Sequence, residues 1–248
     1  MGNFHCCGCW GSCRCCCDRK GERVYLEDIY KTLHTGDIVL IRMGGCGGKC
    51  ISFGTCSHFS HVGVIVREED DDAKLDIKQI KLSHSVVPKV RTDTLRNMQM
   101  SGAYLDMCIR RLKTRLSPEN EAKVKAYVET TTGTPYDSSC CETFRAACDI
   151  PCWCCCSSKE SCICKNKSND GKLFCSEYTA RALITGGALS ESTAPPNEYV
   201  PGDFEEGGKE KAIQDIFDKS VYMVMGDFKL IEDDEKSDKA DKGEKSGK

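Results

Sequence analysis

The sequence predicts an α+β domain in which an antiparallel sheet packs against helices, and three observations carry this prediction. The segment TGDIVLIR, residues 35 to 42, begins with a Gly-Asp turn and continues with aliphatic and β-branched residues, which is typical of a strand. The segment HVGVIVREEDDDAKLDIKQIKLSH, residues 61 to 84, has two apolar runs joined by an acidic turn, which indicates a hairpin. Two later segments, beginning at Ser117 and Cys175, have helical spacing.

The predicted hairpin brings two histidines together. His61 begins its first strand, and a turn near Asp71 or Asp72 puts a residue between positions 82 and 84 opposite it. His84 is then expected beside His61, with Cβ atoms roughly 5 Å apart. His58 lies outside this register, and we expect it to be exposed. Two histidines at one end of a sheet indicate a functional site.

Both helix predictions rest on end signals. Ser117 is a capping residue followed by Pro118 at the first helical position, and Gly133 ends the run. The second helix begins at Cys175 and stops at Gly186-Gly187. Because the free N–H groups and the macrodipole of a helix start favour a thiolate, we expect a lowered pKa for the Cys175 thiol. A nearby imidazole would complete a cysteine nucleophile.

The charge pattern and the cysteines exclude several classes of function. The chain has 248 residues and a formal net charge of -3, with acidic and basic residues mixed along it, so nothing favours a nucleic-acid partner. No stretch has the roughly 18 apolar residues of a spanning helix. The 21 cysteines concentrate in residues 6 to 17 and 140 to 164 without the leader of a secreted disulfide scaffold. The sequence does not indicate an oligomeric state.

The N-terminus MGNFHCCGCW predicts a lipid anchor. Gly2 follows the initiator Met in the pattern of an N-myristoylation signal, with Cys6 where Ser or Thr is usual. One myristoyl chain binds a membrane with an association constant of only about 10⁴ M⁻¹, so a second anchor is needed. Palmitoylation of Cys6, Cys7 and Cys9 would supply it. The localisation expected from these signals is the cytoplasmic face of a membrane.

A zinc site is the alternative for this leader. Cys6 and Cys9, and likewise Cys13 and Cys16, have C-x-x-C spacing. Such pairs arise readily in so dense a cluster, and the loop between them is shorter than zinc sites ordinarily use.

Four motifs in order resemble a known family. GDIVLIR, SHVGVIV, GTPYD and FCSEYTARAL follow the order of the permuted papain-like thiol hydrolases, which include the YiiX-like amidases, a poxvirus relative and, more distantly, the lecithin:retinol acyltransferase-like enzymes. The resemblance covers roughly residues 35 to 205 and implies a circularly permuted papain-like (NlpC-like) fold, in which the histidine precedes the cysteine.

The resemblance also implies roles for four residues. Cys175 would be the nucleophile and His61 the general base, and Tyr136 of the GTPYD motif would lie beside the site and bind substrate. The third member is usually Glu in the YiiX-like branch, whereas the matching position here is His84. A neutral histidine stabilises an imidazolium less than a carboxylate does. No metal or cofactor is implied.

The predicted function is cleavage of an amide or ester through a thioester intermediate. Water as acceptor makes the protein a thiol hydrolase of the cysteine peptidase or amidase kind. A lipid acyltransferase or phospholipase of the same fold, and a catalytically inactive membrane scaffold, remain open as alternatives.

The predicted organisation has an acylated anchor at residues 1–21, a hydrolase domain at 22–230 and a disordered charged tail at 231–248. A Cys-rich insertion at 138–171 precedes Cys175. Its palmitoylation would press the rim of the site onto a membrane and favour lipid, lipid-conjugated or peptide-like substrates. Zinc binding through pairs such as Cys152 and Cys155, or a redox-active loop, is the alternative there.

Overall fold

A computed structural model describes residues 23–45, 48, 51–52, 55, 57–137 and 171–226. The predicted anchor, nearly all of the Cys-rich insertion and the charged tail lie outside these residues. The described part is a mixed α+β structure with one seven-stranded sheet, which confirms the predicted class.

The strands of the described residues are β1 (Arg23–Val24), β2 (Ile38–Met43), β3 (His61–Arg67), β4 (Ile80–Val86), β5 (Lys89–Thr94), β6 (Tyr104–Arg110) and β7 (Val221–Met223). The helices are α1 (Leu26–Ile29), α2 (Leu95–Met100), α3 (Pro118–Thr131), α4 (Cys175–Thr185) and α5 (Lys211–Ile216). Short 3₁₀ helices lie at Tyr30–Thr32, Ile77–Gln79, Pro196–Glu198 and Pro201–Phe204.

The sheet order is β1-β7-β6-β2-β3-β4-β5, and every neighbouring pair is antiparallel except β1 with β7. The strand predicted in TGDIVLIR is β2, and the predicted hairpin is β3 with β4. The last strand of the described residues, β7, includes Tyr222 and Met223.

Side-chain alternation along β2 and β3 divides the core into two layers. Val39 and Ile65 pack in the layer beneath one face of the sheet. Val62 and Val64 point to the other face, where they meet α4. Both faces are covered, which explains why all seven residues of β3 are buried.

Helix ends are where their capping signals predict. The backbone N–H of Asn120 donates to Ser117 Oγ at 3.3 Å, and Pro118 is the first residue of α3. Helix α4 begins at Cys175 and ends at Thr185 with Gly186 as its C-cap, and the following Gly187 has a φ of +70° that suits glycine. In the part of the chain that the structure describes, no helix combines the length and the apolar character that crossing a membrane demands.

Candidate active site

The start of α4 places Cys175 against the N-terminal end of β3. Strands β3 and β4 pair only from Val64–Arg67 to Ile80–Ser83, so the first three residues of β3 lie beyond that ladder. The Cys175 thiol accepts a hydrogen bond from the backbone N–H of Val62 in this stretch. The backbone N–H groups of Cys175 and Ser176 also face the sulfur. The thiol is therefore surrounded by N–H donors.

Burial dominates the ionisation of this thiol. Cys175 is 4% exposed, and desolvation raises its pKa to about 11 although the surrounding N–H groups act in the opposite direction. The lowered pKa expected from the helix start is therefore wrong. The helix terminus contributes partial charges, whereas enclosure removes the water that would solvate a full thiolate charge.

Alkylation kinetics test the protonation state of Cys175. Because its pKa is raised to about 11, the thiolate is scarce at neutral pH. We expect the rate of carbamidomethylation at Cys175 by iodoacetamide to rise about tenfold per pH unit between pH 7 and 10. Peptide mass spectrometry separates this site from the other cysteines. A rate that is already constant from pH 6 upwards would indicate a preformed thiolate-imidazolium pair and contradict this assignment.

The two predicted histidines meet, although by a different register. Val64 pairs with Ser83, so that His84 lies opposite Gly63 and the predicted direct pairing with His61 is wrong by two residues. The rings still meet diagonally, with His61 Nε2 and His84 Nδ1 2.9 Å apart. A Cβ at Gly63 would lie 2.8 Å from the Cβ of His84. The missing side chain at Gly63 therefore makes room for the contact.

A third polar group, which the sequence reasoning missed, completes this chain. His84 Nε2 lies 3.0 Å from Asp93 Oδ2 on β5, and Arg91 Nε lies 2.7 Å from the same oxygen. Strand β5 follows β4 through a tight turn, and Asp93 is opposite Leu82, diagonal to His84. The signal in the sequence was SHSVVPKVRTD, in which a Pro-containing turn separates the histidine from an acidic residue.

Both imidazoles are held in the neutral form. Burial lowers the pKa of His61 well below its usual range, and the neighbouring His84 and Arg91 act in the same direction. Burial also lowers the pKa of His84, partly offset by its hydrogen bond to Asp93. Within the described residues no hydrogen bond joins His61 to the Cys175 thiol. Catalytic hydrogen bonds are often long before substrate binds and shorten in the complex.

Tyr136 lies where the resemblance implied, beside Cys175. Its strand-like contact with Leu173 brings the GTPYD segment against the residues that lead into α4. Both tyrosine and thiol line a narrow crevice of about 10 Å³, whose lining is Ile51, Thr55, Tyr136, Phe174, Cys175, Ser176, Val200 and Pro201. None of these described lining residues has a charged side chain.

A buried carboxylate ties the loop before β3 to the crevice wall. Glu205 Oε1 accepts hydrogen bonds from Ser57 Oγ at 2.7 Å and from the Phe59 N–H at 3.0 Å. Glu205 directly follows the 3₁₀ helix Pro201–Phe204, whose first residue lines the crevice. The loop that leads into β3 is thereby held against the segment that lines the crevice.

His58 is not the exposed residue that we expected. It is 2% exposed, and its Nε2 lies 3.1 Å from Asp106 Oδ2. The carboxylate of Asp106 also accepts from Arg23. His58 therefore belongs to a separate buried polar cluster, because the loop before β3 turns inward.

The remaining predicted residues fall in two groups. The predicted lipidation sites Gly2, Cys6, Cys7 and Cys9 lie outside the described residues. Cys108 is described and fully buried, and desolvation raises the pKa of its thiol far above the usual range, so that it is chemically inert. Among the described residues no group of three or more His, Cys, Asp and Glu side chains is arranged to hold a metal ion.

Comparisons with known proteins give one solved structure to report. No family model and no curated protein matches the chain. The chain is similar to the crystal structure of the metalloprotein yiiX from Escherichia coli O157:H7, with 16% sequence identity and a TM-score of 0.46. The match covers 79% of this chain and 98% of that chain.

Proposed function

We propose that the protein is a cysteine hydrolase that cleaves an amide or ester through a thioester on Cys175, with His61 as the base. One observation carries the proposal. The buried Cys175 thiol at the start of α4 faces several backbone N–H groups, and one of them belongs to Val62, the residue next to His61 in β3. The histidine-before-cysteine order fits a circularly permuted papain-like arrangement of these elements.

The first half of the reaction transfers the acyl group to sulfur. His61 Nδ1 takes the proton of the Cys175 thiol as the sulfur attacks the substrate carbonyl carbon. The carbonyl oxygen becomes an oxyanion, and the backbone N–H groups at the start of α4 would donate to it. The C–N or C–O bond then breaks, and the His61 imidazolium gives its proton to the leaving amine or alcohol.

The second half restores the enzyme. His61 takes a proton from water, the resulting hydroxide attacks the thioester carbonyl, and the C–S bond breaks. The imidazolium returns its proton to the sulfur. An apolar acyl group would match the uncharged side chains that line the crevice at Cys175.

A panel of activated esters and anilides tests the proposal. We expect the full-length protein to hydrolyse at least one apolar acyl ester with a burst of leaving group close to one equivalent, because an activated leaving group makes thioester formation faster than thioester hydrolysis. The control is the Cys175→Ser variant, which should hydrolyse the ester more slowly because its hydroxyl is a weaker nucleophile than the thiol. Equal hydrolysis by both proteins would overturn the proposal.

A transferase is the second candidate, and the apolar crevice favours it as much as a hydrolase. A lipid acyltransferase or phospholipase would form the same thioester from a phospholipid. Incubation with a phospholipid that carries a labelled acyl chain distinguishes them: label on an added amine indicates transfer, and free labelled acid indicates hydrolysis. A catalytically inactive scaffold would give neither, and its cellular function would survive Cys175→Ala.

We also propose that acylation of Gly2, Cys6, Cys7 and Cys9 holds the protein on the cytoplasmic face of a membrane and presents the site to lipid, lipid-conjugated or peptide-like substrates. The single myristoyl chain is too weak an anchor alone, and neighbouring cysteines offer the second. In cells we expect Gly2→Ala to move most of the protein from the membrane fraction to the supernatant. Full retention in the membrane fraction would show that myristoylation is not required.

A further inference from the structure

Asp93 acts on the site through His84. Given the proposed roles of Cys175 and His61, we infer that Asp93 is a positioning residue whose carboxylate fixes the tautomers of His84 and His61, so that the basic nitrogen of His61 is Nδ1. The inference rests on two contacts in series, 2.9 Å between His61 Nε2 and His84 Nδ1 and 3.0 Å between His84 Nε2 and Asp93 Oδ2.

The carboxyl group of Asp93 is ionised and can only accept hydrogen bonds. The hydrogen bond from His84 and the charge of Arg91 lower the pKa of Asp93, which is therefore ionised at neutral pH. An ionised carboxylate only accepts hydrogen bonds. His84 must therefore carry its proton on Nε2 and donate it to Asp93 Oδ2.

The position of the proton on His84 determines which nitrogen of His61 is protonated. A neutral imidazole with its proton on Nε2 has a lone pair on Nδ1, and burial keeps His84 neutral. The only hydrogen bond that His84 Nδ1 can make with His61 Nε2 is as acceptor. His61 must then carry its own proton on Nε2, which leaves Nδ1 as the free base. This is the nitrogen that the proposed mechanism assigns to the Cys175 thiol.

The same hydrogen bonds stabilise the positive charge that His61 acquires during the reaction. When His61 takes the thiol proton, the imidazolium donates from Nε2 to His84 Nδ1, and His84 donates to Asp93, so the carboxylate stabilises the positive charge at one remove. No proton needs to leave either histidine. A neutral histidine in the third position is therefore reinforced by a carboxylate behind it.

Arg91 holds the carboxylate in place. Its Nε lies 2.7 Å from Asp93 Oδ2, the same oxygen that accepts from His84. Both side chains are partly exposed, at 47% and 32%, so this end of the chain of contacts lies at the surface while the histidines are buried. Two donors on one oxygen restrict its rotation away from His84.

Histidine NMR tests the tautomers without any substrate. The full chain has five histidines, and long-range ¹H–¹⁵N spectra of histidine-labelled protein at pH 8 report which ring nitrogen is protonated. We expect His61 and His84 both to be protonated on Nε2 in the wild type. An Asn amide can donate as well as accept, so Asp93→Asn should shift both signals towards a mixture of tautomers.

Steady-state kinetics of Asp93→Asn provide the functional test. Asp93→Asn should lower kcat at least about tenfold, because part of the protein then has the proton of His61 on Nδ1, where the base is needed. KM should change little, because the proposed role of Asp93 does not include binding substrate. The matched control is Asp70→Asn, which removes an exposed carboxylate that pairs with Lys125 at 2.9 Å, and should leave tautomers and kcat unchanged.

The outcomes separate the inference from the proposed function. Wild-type signals showing Nδ1 protonation, or unchanged tautomers and kcat in Asp93→Asn, would overturn the role of Asp93 even where Cys175 and His61 are essential. If Asp93→Asn loses the tautomer preference of the wild type while Cys175→Ser remains fully active, the role of Asp93 in setting the tautomers stands and the cysteine hydrolase is overturned.

Discussion

Replacing Cys175 with Ala is expected to lower kcat/KM by at least about 10⁴-fold for any ester or amide that the protein hydrolyses, because no other described thiol is placed at the site. The substitution removes one sulfur from the start of α4 and leaves the apolar face of that helix intact, so the thermal unfolding midpoint should change little. Steady-state hydrolysis and circular dichroism melts measure both quantities.

Cys108→Ala is the matched control for this variant. Cys108 is the other described free cysteine, and it is buried in β6 away from the crevice. The control should keep wild-type kcat while losing some stability, since it leaves a small cavity in the core. A Cys175→Ala protein with activity within tenfold of wild type would rule out the thioester mechanism.

Replacing His61 with Asn should lower kcat about 10³-fold, because the thiol pKa of about 11 leaves Cys175 almost fully protonated without a base. Asn is preferred to Ala here because it keeps a polar side chain of similar width at this buried position and removes only the outer part of the ring. Raising the pH should partly restore the variant, since hydroxide then supplies the thiolate directly.

His34→Asn is the control for the histidine substitution, because His34 lies in a turn that contacts Arg67 and takes no part in the site. It should keep the wild-type rate and pH profile. A His61→Asn rate that matches this control would show that the imidazole does not act on the thiol.

The sequence predicted the parts of the fold that depend on local pattern. Strand β2, the β3–β4 hairpin and the start of α4 at Cys175 all follow from alternation and end signals, which reflect backbone geometry over a few residues. The register of the hairpin did not follow, because the connection from residue 68 to 79 contains a 3₁₀ helix at Ile77–Gln79 in place of a simple turn. His84 therefore lies opposite Gly63, whereas the prediction placed it opposite His61.

The electrostatics of the site depended on tertiary structure and were not predictable from residue type. A cysteine at a helix start indicates a lowered pKa, but enclosure of Cys175 by β3 and the crevice wall reverses the direction. Asp93 lies on a third strand, and only the turn between β4 and β5 brings it to His84. His58 was misplaced for a related reason, since its burial depends on Asp106 from β6.

The most direct test of the account is mass spectrometry of the intact protein and its peptides after brief incubation with an activated apolar acyl ester. We predict one acyl adduct, located on Cys175, that is absent in Cys175→Ala and forms at least about 100-fold more slowly in His61→Asn. Adducts distributed over many cysteines at rates that do not depend on His61 would contradict it.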